Sequence, residues 1–258
     1  MFFKIIAYLK YLLKAKSAFG IHAPFAYDFY TKVIKAKLPL PDKLHEIEEI
    51  RKSLVRSKEI IQVTDFGTGA SQKKTVRRVS FIASHYSKSR NDVRLIYQMV
   101  AFLKPEVILE LGTSLGFSTM YMSSAAPDAQ IFSIEGCPET VRLAQQNFDA
   151  AHLKINLMVG NIDQILPELL SSGVYPDFIF FDGNHTKDAT LRYFELCLKN
   201  VTEKTVFVFD DIYWSKGMQE AWLQIISHTG ITLSIDLYRM GIVFFKKNSA
   251  KQHFVLKY

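Results

Sequence analysis

Val107-Ile-Leu-Glu-Leu-Gly-Thr-Ser-Leu-Gly-Phe-Ser118, followed by Gln130-Ile-Phe-Ser-Ile-Glu135, reads as a buried strand, a glycine turn, a helix start and a second strand ending in an acid. A parallel α/β sheet binds nucleotides at such a junction. Glycines let the backbone approach the ligand, and the terminal acid can hold both hydroxyls of a ribose. The spacing is not that of a dinucleotide site. Gly112 and Gly116 stand four positions apart, with Ser114 where GxGxxG wants its second glycine.

Working outward, residues 92–103 carry Val93, Ile96, Tyr97 and Val100 at the i, i+3, i+4, i+7 spacing of a buried helical face. Strands then alternate with helices. The strands fall at 107–111, 130–134, 155–159, 177–181 and 205–209, and the helices at 116–126, 138–151, 162–171, 187–199 and 216–228. Such alternation predicts a parallel sheet with right-handed crossovers. The last two strands, 231–238 and 241–246, are joined by a tight Arg-Met turn and must include an antiparallel strand. The expected fold is therefore α/β: a Rossmann-like, doubly wound, mostly parallel seven-stranded sheet with a C-terminal antiparallel hairpin.

A second glycine motif, Val63-Thr-Asp-Phe-Gly-Thr-Gly-Ala70, competes with the first. The polar, basic run Ser71-Gln-Lys-Lys-Thr-Val-Arg-Arg-Val-Ser80 follows it, and no strand ending in an acid comes after. Gly67 and Gly69 are therefore read as part of a loop or hairpin near the site's mouth. Lys73, Lys74, Arg77 and Arg78 either contact an anionic substrate there or form a solvated basic face.

Residues 2–14 form an amphipathic pattern, with Phe2, Ile5, Ile6, Leu9, Leu12 and Leu13 on one face and Lys4, Lys10 and Lys14 largely outside it. Such a helix lies on a membrane surface or packs against its own domain or a partner subunit. Pro24 is placed to open a short helix, and Leu44, Ile47, Ile50 and Leu54 keep helical spacing in 42–57.

The 258 residues are 48% hydrophobic and 13% aromatic, enough for one α/β domain with an N-terminal extension. The net charge of +7 suits anionic partners or ordinary solubility. Cys137 and Cys197 make neither a disulfide framework nor a zinc cluster, so a reducing cytoplasm is expected. No apolar run reaches the roughly 18 residues of a spanning helix, and no signal-peptide pattern follows Met1.

Residues 105–214 resemble class I S-adenosylmethionine-dependent methyltransferases, in particular the O-methyltransferases of the catechol and caffeoyl-CoA type. Leu109-Glu-Leu-Gly-Thr-Ser-Leu-Gly-Phe-Ser118 is similar to the motif that wraps the methionine part of the cofactor. The resemblance places Glu110, Gly112, Thr113, Ser114, Gly116 and Ser118 around the cofactor, with Glu135 on its ribose. It puts Gly160, Asn161, Ile162 and Asp163, from Val159-Gly-Asn-Ile-Asp-Gln-Ile-Leu-Pro167, beside its adenine. Residues 91–258 become the methyltransferase domain. Residues 1–90 become a helical extension with a loop or hairpin that caps the substrate or makes an oligomer contact.

Phe178-Ile-Phe-Phe-Asp-Gly-Asn-His185 and Phe207-Val-Phe-Asp-Asp-Ile-Tyr-Trp214 bring Asp182, His185, Asp210 and Asp211 to the ends of neighbouring strands. Three carboxylates in one crevice repel one another unless a cation joins them, and hard cations such as Mg²⁺ or Mn²⁺ prefer oxygen ligands. The resemblance implies the same metal site, although its metal-dependent members have Asp-Asn where Asp210–Asp211 stand. It also puts His185 where the catechol enzymes carry a catalytic lysine. A histidine can take a hydroxyl proton near neutral pH, or cap the next helix. Tyr213 and Trp214 wall the acceptor pocket or belong to the core.

The function expected is O-methylation of a small hydroxylated acceptor by a cytoplasmic homo-oligomer, with Asp182 and His185 at the reacting hydroxyl. A hydroxylated nucleoside in RNA is the rival acceptor. A nicotinamide-dependent dehydrogenase lacks its glycine fingerprint here. A non-catalytic cofactor-binding or membrane-surface protein is the remaining alternative.

Overall fold

The computed structural model describes residues 2–36, 41–65, 73–247 and 250–258. Gly67 and Gly69 lie outside the described residues. The N-terminal part contains helices α1 (Phe2–Lys14), α2 (Pro24–Phe29) and α3 (Asp42–Val55). The hairpin β1 (Ile60–Asp65) and β2 (Lys73–Arg78) follows, then α4 (Val79–His85) and α5 (Arg90–Leu103). The expected hairpin is present, with Ile60 opposite Arg78 and Thr64 opposite Lys74.

The alternating part then runs β3 (Val107–Leu111), α6 (Phe117–Ala125), β4 (Gln130–Glu135), α7 (Pro138–Ala150) and β5 (Asn156–Val159). It continues through α8 (Ile162–Ser171), β6 (Phe178–Phe181), α9 (Lys187–Leu198), β7 (Val206–Asp210) and α10 (Lys216–Ser227). It closes with β8 (Leu233–Asp236), β9 (Met240–Phe244) and β10 (Gln252–Val255). The sheet order is β10-β8-β9-β7-β6-β3-β4-β5. All neighbours are parallel except β9, which lies antiparallel between β7 and β8. The seven expected strands are all present. The eighth, β10, adds to the edge parallel to β8, where the sequence Gln-His-Phe-Val gives little alternation to find it by.

Strand order reverses between β3 and β6, the place where a doubly wound sheet opens its ligand crevice. The strands are apolar on both faces because helices cover both. Ile108, Phe178, Phe180, Val206 and Val208 point to the side of α2 and α5, while Leu109, Ile179, Phe181, Phe207 and Phe209 point to the side of α9 and α10. A third core joins Leu44, Ile47 and Val79 of the N-terminal part to Leu115, Met120 and Phe148, so α3, β1 and α4 pack on the edge of the sheet that α6 and α7 cover.

α1 meets the far edge. The Tyr11 hydroxyl donates to the Leu256 carbonyl at 2.6 Å, and Lys16 pairs with Leu256 in a short parallel bridge. Its Tyr8 and Tyr11 rings cluster with Tyr238. The buried side is Ala7 and Tyr11, while the stripe of Phe2, Ile5, Ile6, Leu9, Leu12 and Leu13 faces outward rather than packing on this domain. Tyrosine contacts with the C-terminal strand set the helix's rotation. No helix among the described residues is long and apolar enough to cross a membrane.

Candidate functional site

The residues singled out in the sequence follow the C-terminal ends of five adjacent strands: β5, β4, β3, β6 and β7. The turn after β3 is forced by packing. Gly112 has φ +102°, and a Cβ there would stand 2.6 Å from the Asp182 carbonyl oxygen. The switch point closes only because that side chain is missing. Ser114 also adopts a left-handed φ of 50°, which turns its amide toward β4.

That amide donates to Glu135 Oε2 at 2.8 Å, and the Cys137 amide donates to Oε1 at 2.9 Å. Glu135 is thus fixed at the rim of the glycine turn. Burial raises its pKa, and the amide bonds from Cys137 and Ser114 work against that rise.

Glu110 sits lower, inside the sheet. It accepts from Ser118 Oγ at 2.5 Å, from Ser133 Oγ at 2.6 Å and from Thr119 Oγ1. Thr113 Oγ1 is 2.5 Å from Ser133 Oγ. Burial pushes the Glu110 carboxyl up to about 7 despite these hydroxyls. It is fully buried, and its visible work is to tie β3, β4 and the first turn of α6 together.

Beyond β5, Gly160 has φ +152° and Asn161 caps α8, its side chain accepting from the Asp163 amide at 3.0 Å. Asp163 is held by Arg192 at 2.9 Å and by the Tyr193 hydroxyl at 3.3 Å. Ile162 packs its Cδ1 against Gly183. These contacts shape a wall between β5 and β6. Next to it, Thr64 of β1 places its amide 3.4 Å from Cys137 Sγ, which sets the hairpin beside the Glu135 turn. Arg77 of that hairpin donates to the Tyr86 hydroxyl at 2.8 Å and lies over its ring.

On the other side of the switch point, Asp182, His185 and Asp210 bring one ligand atom each within 4.8 Å of one another. Asp211 is not in that group, and its backbone turns at φ +50°. His185 Nε2 is 3.6 Å from Asp182 Oδ1. Burial lowers the His185 pKa, with the Asp210 charge acting in the opposite sense, so the imidazole is neutral near pH 7.

The sequence reading missed a cation. Lys88, in the loop between α4 and α5, places its ammonium 2.7 Å from Asp182 Oδ1 and in contact with Asp210 Oδ2. Burial opposes its charge, but Asp182 and Asp210 outweigh that and hold its pKa above the ordinary lysine value. Burial also lifts both carboxyls above the usual range, against the pull of Lys88. The Lys88 carbonyl accepts from Arg51 Nη1 at 2.9 Å, and Arg51 is itself paired with Glu48 at 3.2 Å. Ser89 caps α5, with its Oγ accepting from the Asp92 amide at 3.2 Å. The Ser89-x-x-Asp92 cap is legible in the sequence and puts Lys88 one residue before a helix. Nothing local shows that it reaches β6 and β7.

Tyr213 and Trp214 end this wall. Tyr213 donates to Asp236 Oδ2 at 2.7 Å and stacks on Tyr238, while Trp214 stays half exposed beneath the Lys4 ammonium, 3.1 Å from its ring centre. Cavities of about 670 and 330 Å³ open at the other end of the strands, around Val201, Lys204 and Phe102. They hold none of these residues.

Five strand ends carry a glycine turn, a terminal acid and an Asp–His pair. The family model described as a methyltransferase domain matches residues 109–212. Residues 109–212 are thus similar to a methyltransferase domain. The catechol O-methyltransferase of Niastella koreensis is 32% identical over 130 residues, which cover 49% of this chain and 58% of that protein. An O-methyltransferase of Aspergillus flavus is 31% identical over 124 residues, covering 45% of this chain and 49% of that protein. The chain thus matches about half the length of these curated relatives. The S-adenosylhomocysteine-bound methyltransferase of Podospora anserina superposes with a TM-score of 0.62 at 16% identity, over 88% of this chain and 97% of that one. The chain therefore shares the Rossmann-like fold of that protein.

Proposed function

We propose that the chain is an S-adenosylmethionine-dependent O-methyltransferase acting on a small hydroxylated acceptor. The observation that carries this is the Glu135 carboxylate, pinned by the Ser114 and Cys137 amides at the rim of the glycine turn. An acid at that place accepts from two ribose hydroxyls, and the glycine turn beside it is the kind of backbone a nucleotide ligand approaches. When bound, the cofactor supplies a sulfonium methyl group to an acceptor oxygen and leaves as the neutral thioether. The chain's own work is to align that oxygen and to exclude water. His185, neutral and beside Asp182, is placed to accept the acceptor's hydroxyl proton at Nε2 or Nδ1.

Calorimetry with S-adenosylhomocysteine tests the reading. The expected result is one binding site, weakened in Glu135→Ala by roughly 1.5–3 kcal/mol for a lost charged hydrogen bond. Binding of NADH in place of S-adenosylhomocysteine would overturn it.

The outward face of α1 favours a membrane-associated setting. Leu13 is 88% and Leu9 55% exposed, and the first acid in the chain is Asp28, after Lys4, Lys10, Lys14 and Lys16. Apolar residues flanked by unopposed lysines match an anionic lipid surface, whereas a second copy would bring the same lysines together. Lys4 of α1 also lies over the Trp214 ring, which ties the helix to the loop after β7.

A further inference from the structure

Three acids at two strand ends need a positive charge, and the fold already supplies one. Lys88 arrives from outside the alternating core, by way of the loop before α5. Its ammonium bridges Asp182 Oδ1 and Asp210 Oδ2, the same two residues that with His185 form the tightest group of metal-type donors among the described residues. The position is built rather than incidental. Arg51 clamps the Lys88 carbonyl, Ser89 starts α5 one residue later, and the Lys88 side chain is only 12% exposed. A divalent ion on these carboxylates would stand within about 4 Å of the ammonium. At that distance like charges repel strongly even at the high effective dielectric of a protein site. The donor set therefore does not fit a divalent ion while Lys88 is in place.

We infer that Lys88 is a built-in replacement for a divalent cation, so that the Asp182–His185–Asp210 site works without metal. An ammonium has three donors. Asp182 and Asp210 take two, and among the described residues no hydrogen bond takes the third, which is left for an acceptor oxygen. Lys88 is then a positioning residue for the acid pair and the cationic neighbour of the acceptor hydroxyl. Removing Lys88 would free Asp210 Oδ2 and Asp182 Oδ1 beside the buried, unpartnered Asp210 Oδ1, as atoms a metal could take. The metal claim stands independently of the methyl-transfer reading. Only the acceptor contact rests on it.

The test is Mn²⁺ titration followed by electron paramagnetic resonance, on wild type and on Lys88→Ala and Lys88→Met. Wild type should leave the free-ion signal unchanged into the millimolar range. Each variant should bind Mn²⁺ at least ~10-fold more tightly, about 1.4 kcal/mol. Submillimolar binding by wild type overturns the inference, and this arm does not depend on either variant folding. Folded variants that bind no better than wild type also overturn it. Calorimetry with S-adenosylhomocysteine on the same wild-type sample separates the two proposals. A protein that binds neither ligand refutes the methyltransferase reading and leaves the absence of metal standing.

Discussion

Glu110 is the buried acid at the base of the glycine turn. It is fully buried and its neighbours are three hydroxyls rather than a cation. Its folded pKa of about 7 lies above the reference 4.5. A carboxyl raised by folding is protonated in both states at low pH, so its contribution is complete below about 4.5. That contribution is lost as pH rises through about 7, where the folded chain must hold an ion it has desolvated. Wild type should therefore lose stability relative to Glu110→Gln between pH 4.5 and 7.5, by up to about 3 kcal/mol. Urea unfolding of both proteins at pH 5 and pH 8 measures the difference. Asp210 titrates in both proteins, and removing the Glu110 charge relieves part of the rise at Asp182 as well. Parallel pH curves would mean that Glu110 keeps an ordinary pKa.

At the scale of elements, the β3–β6 junction separates two reasons for a glycine. Gly112 combines a left-handed φ with a backbone atom 2.6 Å from where its Cβ would be, while Gly173, after α8, has φ +90° and open space around it. Alanine at Gly173 meets only backbone strain, about 1–2 kcal/mol. Alanine at Gly112 adds overpacking of roughly 1–3 kcal/mol, because Asp182 must retreat along β6. We expect Gly112→Ala to be the more destabilising by at least 1 kcal/mol, on the order of one buried methylene's overpacking. It should also weaken S-adenosylhomocysteine binding, which Gly173→Ala should leave unchanged. Equal losses in chemical denaturation would show that crowding at the switch point is not what demands the glycine.

For the whole molecule, the two chain ends are stapled. Lys16 bridges Leu256, and Tyr238 donates to the Lys4 carbonyl at 2.9 Å. This staple holds α1 with its apolar face outward at the β10 edge of the sheet. Co-sedimentation with phosphatidylglycerol-containing vesicles should recover the protein, phosphatidylcholine vesicles should recover less, and salt should weaken the binding by screening the lysines. Replacing Leu9 and Leu13 by glutamate should abolish recovery with no change in S-adenosylhomocysteine affinity. A dimer that dissociates on those substitutions, in a protein that ignores vesicles, would assign the face to a second copy.

The periodicity and glycine placement of residues 107–135 determined the sheet, its switch point and the acid at the end of β4, because strand–turn–helix chemistry is local. The same local logic placed Asp182, His185, Asp210 and Asp211 at neighbouring strand ends. It could not weigh them against Lys88, because that contact joins positions 88 and 210 across the fold. Nor could it choose which face α1 buries. The hydrophobic stripe of residues 2–13 is stronger than the Ala7–Tyr11 side, yet hydrogen bonding and ring packing with Leu256 and Tyr238 turned the stripe outward. Local sequence specifies backbone and burial through neighbours a few residues away. Charge pairing and helix rotation are decided by partners that only the closed fold brings within reach.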